Sequence, residues 1–510
     1  MAGARHGAHK VGMSLEVKPD EVKEASARSA GTRPPAFSAL RLPVLLLLFT
    51  TAAVVESMRL TSLSSLAGAD IWWHLRTGLW MAHNHALPRN GIYSQSSELP
   101  WFAVNWSYDL LLAGAYRLLG LRALPALLMA CKAALAAVTF LLAGGWQGRF
   151  WPAVALSALV QYVLGAVPAT PVYFSLLLFG VELLLLFESR SGRQVRLLFW
   201  LPPLFLVWVN ISPDFVYGIA ALAIFLSAQV IQERGQIGQG MTMCVAGVLS
   251  FIATFLSPYG YHSWGTFLAN MVSGANRYFP DYLAMSFHQP QDYLLLLLTM
   301  AAFLSLGLRR SRDWFQIALL AGSAALSFHS RRDIWLVCLT ASAILGQALS
   351  NPAATELTSR LQWRLASLLL AALVLIAAFE FRVPRSNETL LAEVGKSYPV
   401  AACNFIRENH LPQPLFNDLQ WGGFLTWYQA DLPVAIDGRT NLYSDSDYIT
   451  YSKVMNADLP YVAYPAFAQA RTILLPRHSI IAEALSSVPA FKVVYRDNVS
   501  TVLGPTSQEQ

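Results

Sequence analysis

The chain has 510 residues, of which 55% are hydrophobic and only 13% charged. Ordinary soluble domains are near a quarter charged, so a disordered chain, a fibrous repeat and a large soluble enzyme are excluded. The formal net charge of +6 belongs to the N-terminal tail and the loops between apolar runs, which argues against nucleic-acid binding.

Apolar runs of the length that a bilayer-spanning helix needs recur along the sequence. Residues 1–41 are polar and aperiodic and are expected to form a disordered cytoplasmic tail. A first span is predicted at about 42–60, followed by a long, Trp-rich outer loop over 61–123. Within that loop, 106–120 carries Asp109 and Arg117 and is predicted to be an amphipathic helix lying at the interface. Further spans are expected at about 124–144, 150–167, 171–188, 196–211, 215–232, 241–257, 291–308, 314–329, 333–349 and 363–380. That makes about eleven transmembrane helices, in a membrane domain covering 42–381.

Charge orients them. With the N-terminus inside and 106–120 not crossing, ten arginines fall in inner loops and three in the short outer loops, as the positive-inside rule requires. Residues 382–510 then lie outside the cytoplasm. There, strand-like runs (Pro414–Asn417, Pro433–Ile436, Thr472–Leu475, Phe491–Tyr495, Ser500–Leu503) alternate with helical patterns near 398–409, 445–456 and 479–487. A small α/β domain is expected. Cys131, Cys244 and Cys338 lie in apolar runs, Cys403 has no cysteine partner in its own domain, and no Cys/His metal spacing occurs.

Chemistry can reside in several clusters. Asp70 and His74 in Ala-Asp70-Ile-Trp-Trp-His-Leu-Arg-Thr-Gly78 share one face if the segment is helical; an N-cap aspartate with interface tryptophans would look the same. Arg331 and Arg332 sit on the arginine-poor outer side and could hold a phosphate by charge-assisted bonds, or pair with Asp333 and lipid headgroups. Lys132 and Glu182 fall at comparable depth and could form an intramembrane ion pair. Trp208, Asn210, Tyr259 and their neighbours on the outer side suit sugar rings, although aromatic belts have the same composition. In Asp437-Gly438-Arg439 the simpler reading is a structural turn.

These segments together resemble a family. The Asp70 motif, Trp208-Val-Asn210, Pro258-Tyr-Gly260, Arg331-Arg332 and Gly422-Gly423 with Asp437-Gly-Arg439 are similar to a group of bacterial GT-C-like proteins. More broadly, the layout resembles the GT-C superfamily of membrane glycosyltransferases, over most of 42–505. The resemblance implies a polyprenyl-phosphate-linked sugar donor, transferred outside the cytoplasm to a lipid or glycan acceptor, in the cell (inner) membrane. It implies Asp70 as catalytic base, with Arg331 or Arg332 on the donor phosphate; His74, Trp208, Asn210, Tyr259 and Asp109 are added from the residues themselves as candidates about the substrate. It leaves room for a divalent cation, with Asp109 the nearest second ligand; the residues themselves name no cofactor. Two departures stand out. Val167-Pro-Ala-Thr-Pro-Val172 lacks the arginine that relatives often carry there, and Ser212 stands where relatives often have His. A transporter or flippase of a lipid-linked or polar substrate, and a catalytically inactive glycan-binding relative, stand beside the transferase reading.

Overall fold

The computed structural model describes residues 49–50, 68–145, 150–165, 167–190, 195–232, 237–349 and 361–506. The expected tail and nearly all of the first span lie outside the described residues. The chain is predominantly helical. The first described helix is α1 (Gly68–Asn84), followed by α2 (Trp106–Leu119) and α3 (Ala123–Leu142). A three-residue 3-10 turn joins α2 to α3, and Gly120 interrupts the α-helix at φ 60°. That is the left-handed region that glycine enters without a Cβ penalty.

Next come α4 (Phe150–Val163), α5 (Pro171–Ser189), α6 (Leu201–Ile211), α7 (Phe215–Gln232) and α8 (Ile237–Ala253). They are followed by α9 (His262–Val272), α10 (Pro290–Leu308), α11 (Trp314–His329), α12 (Ile334–Ala348) and α13 (Leu361–Arg382). Their ends follow local chemistry: Pro290 opens α10 behind a Gln289/Asp292 capping box, and the Asp313 side chain caps α11. Among the described residues, four helical stretches are long and apolar enough to cross a membrane: Trp106–Leu142, Pro171–Ser189, Phe215–Gln232 and Pro290–Leu308. Several other expected spans form helices of only 11 to 17 residues, too short to meet that measure.

The rest of the chain holds α14 (Asn387–Val394), α15 (Val400–Glu408), β1 (Leu415–Asn417), α16 (Leu419–Tyr428) and α17 (Asp445–Met455). Then come α18 (Pro465–Ala468), β2 (Thr472–Pro476), α19 (Ile480–Ser486), β3 (Phe491–Arg496) and β4 (Ser500–Pro505). The four strands make one sheet in the order β1-β2-β4-β3. β1 and β2 are parallel, while β4 is antiparallel to both β2 and β3. The expected strand at Pro433–Ile436 is not part of it. Its backbone is claimed instead by Asn417, whose amide bonds Ile436 O and Ala435 N, and by the loop between α1 and α2, where Val434 pairs with Tyr93 and Gln95.

The loop between α1 and α2 is sewn into this C-terminal part at several points. Ser94 bonds Tyr443, Trp101 donates to Asn441, and Gln95 donates to Leu415 O. α1 packs between α2 and α16, with Trp72 stacked on Trp427 and edge-on to Phe424. Gly78 lets α1 and α2 touch, since a Cβ at this position would overlap the Asp109 carbonyl. Gly78→Ala is therefore expected to cost about 1–3 kcal/mol through forced separation of the two helices. A lowered thermal midpoint of the purified protein checks it.

Two ionisable groups of the expected spans behave differently from their expected pairing. Lys132 Nζ donates to the carbonyls of Leu164 and Gly165 and makes no ion pair with Glu182 among the described contacts. Both Glu182 oxygens are buried without a hydrogen-bond partner, close against Gly218. The end of α4 brings the carbonyls of Leu164 and Gly165 to Lys132, where a carboxylate was expected.

Candidate active site

Asp70 lies in the first turn of α1, where a carboxylate is favoured by the helix dipole. It is half-buried. Its Oδ1 accepts the indole N–H of Trp73 at 3.2 Å, and the Asp437-Gly438-Arg439 turn lies against the same oxygen. Oδ2 has no hydrogen-bond partner among the described residues. Burial pushes the carboxyl up to about 6, opposed by the Trp73 N–H and by the Arg332 guanidinium. Asp281 and Asp437 add smaller upward pushes.

Arg332 reaches this place because α11 ends at His329 and a short 3-10 turn, Arg331–Asp333, leads into α12. One arginine faces out and the other in. Arg332 donates to Asp214 Oδ1 at 3.3 Å and, closely, to the Tyr282 hydroxyl. The Tyr282 ring also lies beneath its guanidinium. The turn is tied to the 280–282 turn by Arg331 N to Leu283 O and by the Ser330 hydroxyl to Asp281 O. Asp333 is also pushed up to about 6 by burial, with Arg332 opposing. A single guanidinium thus serves several carboxyls. Arg331 is exposed and its side chain has no hydrogen-bond partner among the described residues.

The other expected residues fall in three places. His74 does not pair with Asp70. Its Nδ1 lies 2.5 Å from Asp109 Oδ1 in a fully buried pair, beneath Trp73, which stacks on the imidazole. Burial holds the imidazole well below its ordinary pKa and the Asp109 carboxyl well above its own. Asp109 Oδ1 is thereby engaged by His74, while its Oδ2 is buried with no hydrogen-bond partner among the described residues. Among the described residues no three His, Cys, Asp or Glu side chains converge on a place for a metal ion.

Trp208 is fully buried, stacks on Phe205 and donates to Ser175; that is a core position with no face left for a substrate. Tyr259 is buried too, and its hydroxyl fixes the loop between α1 and α2 through Pro88 O. Asn210 accepts from Trp106 and lines a cavity of about 360 Å³ with Tyr108, Leu111, Phe174 and Leu206. Asp70 does not line this cavity. Three participants were not foreseen: Trp73 as the donor to Asp70, Tyr282 beneath Arg332, and Gly438 against Asp70. Of these, Trp73 could have been suspected from the sequence, since it stands three residues after Asp70 on the same face of a helix.

No family profile matches the sequence, and no curated protein sequence matches it. Among solved structures, the chain is similar to the oligosaccharyltransferase AglB of the archaeon Archaeoglobus fulgidus, in complex with an inhibitory peptide and a dolichol-phosphate. The identity is 11%, the TM-score 0.52, and the match covers 91% of this chain and 74% of that one. A second structure of the A. fulgidus oligosaccharyltransferase, tethered to an acceptor peptide, gives 12% identity and a TM-score of 0.49 over 90% and 74%. ArnT from Cupriavidus metallidurans, bound to undecaprenyl phosphate, gives 14% and 0.47 over 90% and 98%. The likeness to AglB is one of fold, and it extends over nearly the whole of this chain.

Proposed function

We propose that the protein is a membrane glycosyltransferase that moves a sugar from a polyprenyl-phosphate donor to a lipid or glycan acceptor on the outer face of the cell membrane. In this reading 382–510 is an extracytoplasmic domain. The observation that carries it is Asp70: half-buried, raised to about 6, with one oxygen unbonded. A general base works best when its pKa lies near the working pH. Asp70 Oδ2 takes the acceptor hydroxyl proton as that oxygen attacks the sugar C1. The C1–phosphate bond breaks on the opposite face, and the bonding pair leaves with the polyprenyl phosphate.

Arg331 and Arg332 carry the positive charge that meets the leaving phosphate. Arg332 is held by Asp214 and Tyr282, whereas Arg331 projects freely and is available to an incoming anion. The fold supports the donor class, since AglB, of the same fold, is described in complex with a dolichol-phosphate.

The experiment is an acceptor-dependent release of polyprenyl phosphate by the purified protein in lipid nanodiscs, followed against pH. A base that must be ionised loses activity as pH falls through its pKa. The rate is expected to drop about tenfold per unit below roughly 6 and to level off above it. A flat profile between pH 4.5 and 7.5 rules Asp70 out as the base. Arg331→Gln should weaken binding of undecaprenyl phosphate about tenfold, the worth of one charge-assisted bond, as measured by titration into nanodiscs.

A further inference from the structure

The chain's C-terminal part reaches the Asp70 carboxylate through one turn. Asp437 and Arg439 form a bidentate pair with neither side chain exposed. Arg439 Nε lies 2.9 and 3.0 Å from the two carboxylate oxygens and Nη2 2.7 Å from Oδ2. The remaining guanidinium nitrogen donates to Ile92 O at 2.7 Å, and the plane sits over the Trp101 ring. The Tyr448 hydroxyl bonds Asp437 O from α17. A turn held from so many sides cannot retreat. At its apex stands Gly438, where a Cβ would overlap Asp70 Oδ1 and come within 3.7 Å of Trp73 Nε1. The residue's φ is ordinary, so glycine is required here by the close approach and not by backbone strain.

We propose that the Asp437-Gly438-Arg439 turn is a positioning element of the active site, which holds Asp70 with Oδ1 against Trp73 and Gly438 and leaves Oδ2 as the only oxygen able to take a proton. The inference rests on the reading of Asp70 as base, and extends it by making the C-terminal part a component of the catalytic apparatus. The charged groups facing Asp70 are Arg332 from the turn before α12, Asp281 from the 280–282 turn and Asp437 itself. The phenols of Tyr282, Tyr398 and Tyr448 face it as well, as does that of Tyr108. None of these touches Oδ1.

The test needs no substrate. Carbodiimide and glycine ethyl ester label protonated carboxyls, and peptide mass spectrometry reads the Asp70 label against pH in the full chain in nanodiscs. The wild-type midpoint should lie near 6. In Gly438→Ala the new Cβ drives the carboxylate off Trp73 toward its solvent side, which removes part of the burial that raises it. Burial is the largest influence, so its loss outweighs the loss of the Trp73 bond that lowers it. The midpoint should fall by about one to two units, toward the ordinary aspartate value. Arg439→Lys keeps the charge opposite Asp437 but loses the fork and the Ile92 bond. It should move the midpoint the same way by a smaller amount, and it decides the matter if Gly438→Ala fails to assemble. Midpoints unchanged from wild type in the assembled variants overturn the inference, whatever Asp70→Asn does to transfer. Shifted midpoints with full transfer by Asp70→Asn overturn instead the base reading on which it rests.

Discussion

Asp70→Asn is expected to reduce transfer by about three orders of magnitude while leaving the protein folded, which is within the range that a positioned general base contributes. The replacement has nearly the shape of the original, and its amide oxygen can still accept the Trp73 N–H that binds Oδ1 at 3.2 Å. What is lost is the unbonded carboxylate oxygen and its affinity for a proton. Initial rates with and without acceptor, alongside the size-exclusion profile, separate lost chemistry from lost folding. A variant that elutes as wild type and retains full rate sinks the assignment. One that aggregates shows that Asp70 is needed to seat the C-terminal turn. Because the carboxyl is raised mainly by burial, residual activity of the variant should lack the inflection near pH 6.

Arg439→Met is expected to be the most destabilising single change, at about 3–5 kcal/mol. The reason is asymmetry. A buried ion pair contributes little net stability, because desolvating two charges offsets their attraction, but removing one partner strands the other. Asp437 is fully buried, and nearly all of its carboxylate contacts come from Arg439. Met approximates the stem and leaves the packing on Trp101 partly in place, so the loss reports charge above all. The double variant Asp437→Leu/Arg439→Met should recover much of it. Thermal midpoints of the two proteins in the same detergent, compared with wild type, give the test: equal losses in both would mean that packing, not the stranded charge, is responsible.

Much of the architecture was legible because bilayers and periodicity impose strong constraints. The helices α3, α5, α7 and α10 begin and end within a few residues of the expected spans, since Pro, Gly and charged residues mark their boundaries. The helices not foreseen include α9, α14 and α16, and α16 is the instructive one. Gly422-Gly423 reads as a turn by propensity, yet Gly422 is needed because a Cβ there would overlap Ile436 O. Tertiary crowding overrides the local preference. Asp70 was legible as a candidate from its motif, but its neighbours were not. His74 at one helical turn looked like its partner, and only the packing of α2 on α1 delivers Asp109 to claim it. The contact of Gly438 with Asp70 joins distant parts of the chain, and nothing in local spacing encodes it. Trp208 and Tyr259 have the composition of sugar-stacking residues, and burial makes them structural.

The stitching of the loop between α1 and α2 into the C-terminal part has a consequence for how the protein is made. Ser94 and Tyr443, which bond one another, are separated by 349 positions, and the Val434 bridge to Ser94 is comparably distant. Contacts of such separation form late, because the intervening chain must first be placed. During synthesis the Asp70 segment is therefore made long before its covering turn exists. Until the Asp437-Gly438-Arg439 turn is in place, the Asp70 carboxylate lacks the neighbour that lies against its Oδ1. On the proposed reading of Asp70 as base, a chain truncated before that turn carries the carboxylate without the setting that tunes it.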